Sequence, residues 1–150
     1  MPSLTNYGQQ LGLYDDNRTF LAGPPAGATS GAGGIANLVT TVGLYAQTGA
    51  VLDKAFGTLN LPAPGGGGYT AITGLTKGAS WVSPSAGSGD TQIVLNNQTF
   101  TAVGNPINDV GGSFIADTDG NVVAYWERSS PITLAASDSI TADQLTIRIV

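Results

Sequence analysis

Apolar and polar positions alternate along much of this chain, most plainly at its end. Leu145, Ile147 and Ile149 stand against Thr146, Arg148 and Val150, the two-residue period of a strand with one buried face. The same pattern predicts strands over residues 39–47, 69–75, 80–82, 92–95, 98–103, 112–117, 122–128, 132–134 and 144–150. Asp119-Gly120 lies between two apolar runs, and Gly accepts the positive φ that tight turns demand. Residues 114–128 are therefore expected to form a hairpin turning there. Asn96-Asn97 predicts a second tight hairpin, and the Pro- and Gly-rich residues 62–68 read as a loop. Many short strands with frequent turns predict an all-β fold, an antiparallel β-sandwich of jelly-roll-like type.

Three zones follow from the pattern. Residues 1–22 form an N-terminal arm, partly helical at best. Leu4, Tyr7, Leu11 and Tyr14 share one helical face there, but Gly8, Gly12 and Asp15-Asp16 weaken any helix. With Phe20, these apolar residues must lie on something, either the chain's own core or a neighbouring subunit. Residues 23–37 have the Gly/Ala/Pro composition of a flexible linker. Residues 38–150 are the β-sandwich domain.

Composition sharpens this picture. At 150 residues the chain fits a single domain with a real core. Charged residues make up 10% of it, against about 25% in average soluble proteins. So uncharged a surface is either covered by partners or coated in Ser, Thr, Asn and Gln. The five basic residues are scattered and the net charge is −5, which excludes the basic patch a nucleic-acid binder needs. No apolar run approaches a membrane span, and the first residues lack the features of a signal peptide. The chain is expected to stay in a cytoplasm unless it leaves within an assembly.

Candidate chemistry is sparse. Without His or Cys the chain lacks the usual nucleophile–base pairs and the commonest metal ligands. Glu127 is the single Glu, and Asp117 and Asp119 sit in a turn, where Asp commonly bonds its own backbone. Residues 117–121 miss the calcium-loop pattern, since Gly120 comes too early and the closing Glu is absent. Gly65 to Gly68 is no phosphate cradle, because no Gly-Lys-Ser/Thr follows. Trp81 and Trp126, with Tyr45, Tyr69 and Tyr125, could floor a sugar-binding face, but core or subunit contact is the better reading. The expectation is a protein without catalysis, metal or cofactor.

Several short motifs resemble small structural proteins of tailed bacteriophages. They are Asn6-Tyr7, Val42-Gly43-Leu44-Tyr45, Gly65-Gly66-Gly67-Gly68-Tyr69-Thr70, Trp81, and Phe114-Ile115-Ala116-Asp117 followed by residues 121–128. Asp138-Ser139-Ile140 and Leu145-Thr146-Ile147 match the ending of that pattern, from which the linker and the insertion around Ala50 to Pro64 depart. The resemblance implies a capsid decoration (cement) protein on the virion surface, assembled in the host cytoplasm. It would bind the outer face of the major capsid protein, as a homo-oligomer and often a trimer. Leu4, Tyr7, Leu11, Tyr14 and Phe20 are the expected capsid or subunit contacts. A tail or fibre component binding a host surface is the alternative, and a carbohydrate-active enzyme, which would need convergent acids in a cleft, the weaker one.

Overall fold

The structure, a computed structural model, describes residues 3–4, 35–54, 57–82, 91–143 and 145–149. Its elements in chain order are β1 (Ser3–Leu4), α1 (Ile35–Leu38), β2 (Val39–Ala46), β3 (Ile72–Thr73), α2 (Lys77–Ser80) and β4 (Trp81–Val82). Then follow β5 (Thr91–Leu95), β6 (Gln98–Thr101), β7 (Ile107–Asp117), β8 (Val122–Leu134), β9 (Ser139–Ala142) and β10 (Leu145–Ile149). They form a five-stranded sheet β1-β8-β7-β2-β3, a three-stranded sheet β10-β5-β4 and a two-stranded ribbon β6-β9. Every pairing is antiparallel. The fold is the all-β, antiparallel sandwich that the alternation predicts.

One core joins the three sheets. Val42, Ile115 and Val123 of the large sheet pack in one cluster with Ile93, Leu95 and Ile147 of the smaller sheet and Phe100 of the ribbon. Burying each such side chain is worth roughly 1.5–3 kcal/mol. Ile35, within the stretch read as linker, is fully buried in this cluster, so the packed chain begins before residue 38. Tyr69 reaches the edge of β2, where its hydroxyl accepts the Leu44 N–H at 2.9 Å. Burial raises the Tyr69 phenol, and that bond partly opposes it.

The second face of the large sheet is also filled, with Tyr45 and Tyr125 buried on it. The Tyr125 hydroxyl donates to the Leu52 carbonyl at 2.9 Å, which brings the insertion after β2 onto this face. Asp109, in a β7 bulge with φ 59°, ties down the start of that insertion. Its carbonyl accepts the Gln47 N–H at 2.9 Å and its carboxylate the Thr48 N–H at 2.7 Å. Gly112 makes room for Tyr45, because a Cβ there would lie 2.0 Å from the Trp126 carbonyl oxygen and 2.7 Å from the Tyr45 ring.

The expected β7–β8 hairpin is present, but its turn is not the two-residue type. Asp119 keeps a negative φ while Gly120 alone takes φ 84°, and the Gly120 N–H donates to the Asp117 carbonyl at 3.2 Å. Asp117 explains this choice. Its carboxylate accepts the Asp119 N–H, the Asn121 N–H and the Asn121 side-chain amide, all at 2.9 Å.

Other expectations need correction. Asn96-Asn97 does not close a hairpin, since β5 pairs with β4 and β10 while β6 pairs with β9. Pro131 does not end a strand, because β8 runs on to Leu134 through an irregularity that tolerates it. Residues 69–75 contribute just Ile72–Thr73, and β9 was not foreseen. The loop expected over residues 62–68 is present, and it is closely packed: the Gly68 N–H donates to the Pro106 carbonyl at 3.1 Å, and a Cβ on Gly68 would lie 1.9 Å from the Asn105 carbonyl oxygen.

Candidate functional site

The sequence-predicted contact residues fall mostly outside the described chain. Tyr7, Leu11, Tyr14 and Phe20 are not among the described residues. Leu4 is, and its backbone lies in β1 rather than in a helix. Ser3 pairs with Tyr125 and Leu4 with Ala124, so β1 forms one edge of the large sheet beside β8.

A cleft of about 290 Å³ opens midway along β8, between the large sheet and the segment carrying β9 and the start of β10. Its apolar lining includes Leu44, Val110, Trp126, Ile140 and Leu145. Leu44, Val110 and Leu145 are buried core residues, while Trp126 and Ile140 are half-buried and packed against that core. Arg128, Thr141 and Asp143, all exposed, supply the polar lining together with the nearly buried Ser113.

The strand register explains how this cleft arises. Up to Gly112↔Glu127, β7 and β8 are in step from Ile115↔Ala124 onward. The next pair is Val110↔Ile132, so Gly111 alone stands opposite Arg128, Ser129, Ser130 and Pro131. In a regular strand successive side chains point to opposite faces. Trp126 and Arg128, two residues apart, border this cleft from one face of β8, whereas Glu127 between them is still in register opposite Gly112 and belongs to the Tyr45 face.

Electrostatics agrees that Glu127 belongs with Tyr45 on the second face. Burial pushes the Tyr45 phenol up to about 12, helped by the nearby charge of Glu127 and by Tyr125. The Tyr45 hydroxyl is buried with no hydrogen-bond partner among the described residues. Within those residues the side chains of Glu127, Arg128 and Asp143 make no hydrogen bond or ion pair.

The sequence pointed to Trp126 and Glu127 singly and did not bring Asp143 to Trp126. The Asp143 carboxylate, the Arg128 guanidinium and the Trp126 indole thus border one cleft where pattern reading saw a strand end and a loop. The other aromatic candidates divide differently: Trp81, Tyr45 and Tyr125 are buried and Tyr69 is half-buried. The Asp117 carboxylate is taken up by its own turn. Among the described residues no group of three or more acidic, His or Cys side chains could hold a metal ion, and no helix is long and apolar enough to cross a membrane. No protein-family model, curated protein or solved structure matches this chain.

Proposed function

We propose that this chain is a structural protein of a tailed-phage virion that decorates and stabilises the capsid by binding the outer surface of the major capsid protein. The observation that carries the reading is β1. A two-residue strand near the start of the chain, thirty residues before α1, adds to a sheet edge by antiparallel backbone pairing. Backbone pairing at an open edge is a general route to association between chains. The intervening residues include the Gly-rich stretch, so such a segment can reach beyond its own domain. The motif resemblance supports the same reading, with a homotrimer as the assembly and the capsid surface as the location.

The surface chemistry is compatible with it. On the exposed side of the β6–β9 ribbon, Thr99 and Thr141 hydroxyls lie 3.0 Å apart and those of Thr101 and Ser139 2.8 Å apart. This hydroxyl array carries no charge, so a partner could cover it without desolvating ions. Many symmetry-related copies would then sum modest contacts over a shell. A tail or fibre component that binds a host surface is the second reading, and the Trp126 cleft is the feature that favours it.

The deciding experiment is co-sedimentation with assembled capsids of the phage that encodes the chain. Saturable binding in a fixed ratio to the capsid protein is expected. Deleting residues 1–22 should weaken that binding while the β-domain stays folded. Absence from capsids together with presence in purified tails would transfer the chain to the second reading. Normal capsid occupancy with a lowered melting temperature in the truncated chain would show that the arm serves its own domain.

A further inference from the structure

We infer that the cleft beside β8 binds the ring of a neutral saccharide, with Trp126 as its stacking platform and Arg128 and Asp143 as its hydrogen-bonding rim. The inference does not depend on the capsid reading, since it concerns a small-molecule site that either virion location could carry.

The first argument is preorganisation. Trp126 is half-buried and packed against the core, so its ring is held before any ligand arrives. It nevertheless lines an open cleft. One face of a pyranose ring presents C–H groups that suit an aromatic surface, while its hydroxyls project sideways toward polar groups.

The second argument is the rim. Arg128 offers several N–H donors, whereas the Asp143 carboxylate is an acceptor. Neither side chain is engaged by a hydrogen bond or ion pair within the described residues. A hydroxyl both donates and accepts, so a polyol can serve both at once. A purely apolar ligand would leave them without new partners. An anion would meet the Asp143 carboxylate beside the guanidinium, on a chain of net charge −5.

The third argument is construction. Arg128 follows Trp126 by two residues and so keeps its face of the strand, and the three extra β8 residues opposite Gly111 open the ladder beside both. Such irregularities are over-represented beside active sites. The volume of about 290 Å³ lies at the lower end of small-molecule sites, which run from roughly 300 Å³ upward, and suits one ring.

The test is a titration of the isotope-labelled full chain followed by NMR, with maltotriose, cellotriose and chitotriose as neutral probes and sialyllactose as the anionic one. The two indole N–H signals report separately. Trp126 should shift saturably with at least one neutral trisaccharide, while Trp81, buried in the core, stays put. Arg128→Ala and Asp143→Asn lie on exposed positions and should each weaken binding about 3- to 10-fold with the remaining spectrum unchanged. Trp126→Ala should abolish it, and Trp126→Phe, which keeps a ring and spares the fold, should retain part of it.

Four results would overturn the inference. They are no saturable Trp126 shift with any neutral probe up to about 10 mM, binding indifferent to both rim variants, tighter binding of sialyllactose than of the neutral probes, and cleavage of a trisaccharide, which would make the cleft catalytic.

Discussion

The two halves of β8 are built from one continuous strand yet behave as different materials. Val122 to Trp126 stays paired with β7 through a one-residue bulge at Val123, buries Val123, Ala124 and Tyr125, and leaves little of either face to solvent. Glu127 to Pro131 is exposed at every residue and loses register with its partner. The first half fills both faces of the sheet, with Val123 and Ala124 in the core and Tyr125 on the other side. The second half contributes little to any core, and its irregularity opens the cleft. Stability and recognition are thus allotted to adjacent stretches of one strand.

Four tests probe that division. The largest effect is expected where the halves meet. Gly112 pairs with Glu127 at the boundary, and a methyl group there would collide with the Trp126 carbonyl and the Tyr45 ring. Gly112→Ala should lower unfolding free energy by about 3 kcal/mol or more, read by chemical denaturation. A loss below about 1 kcal/mol would mean that the junction is soft and the two halves are not distinct.

Next comes the closing turn of the ordered half. Asp117→Ala removes an acceptor serving three donors and should cost about 2 kcal/mol. Asp117→Asn, which keeps one carbonyl oxygen, should cost less. Equal losses would show that the carboxylate's second oxygen is immaterial.

A pH titration probes the buried face of the ordered half. Tyr45 is raised from 10.0 to about 12, so its neutral form is favoured in the folded state. The associated stability is fully present below pH 10, where the phenol is neutral folded or unfolded, and is lost as pH rises from 10 toward 12. At pH 11 the loss should be roughly 1 kcal/mol, checked by denaturation together with phenolate absorbance. Glu127→Gln should bring the Tyr45 titration down without abolishing the upward shift, since burial is the larger cause. An unchanged Tyr45 titration in that variant would deny any communication between the halves.

The smallest effect belongs to the exposed half. Arg128→Ala and Ser129→Ala should each change stability by less than about 0.5 kcal/mol. A larger loss from either would show that the looser half supports the fold after all.

Sequence patterning read the ordered half well and the other half poorly, for a physical reason. Alternation reports burial, and Ile115, Val123, Tyr125, Ile147 and Leu145 all announce their buried sides. The same logic foretold the hairpin but not its turn type, because Asp-Gly is compatible with two geometries and the Asp117 carboxylate decides between them. The register break after Glu127 carries no hydrophobic signal, so the stretch through Pro131 read as a strand end. Asp143 could not be joined to Trp126 from the sequence, since that proximity depends on where β9 folds back. Nor could β1 be found, because two residues are too few to show a period. Its pairing partner lies more than a hundred residues away.

The hairpin turn also bears on how this chain ages. Asp-Gly is among the dipeptides prone to slow rearrangement into isoaspartate, in which the glycine nitrogen attacks the preceding side-chain carboxyl carbon and water leaves. In this turn the Gly120 nitrogen is committed to the Asp117 carbonyl, and Gly120 is held at φ 84°. Attack on the Asp119 carboxyl must first break that bond and swing the backbone out of the turn. The three contacts of the Asp117 carboxylate therefore act as a chemical preservative for the bond two residues on, and the clock at Asp119-Gly120 advances only while the hairpin is open.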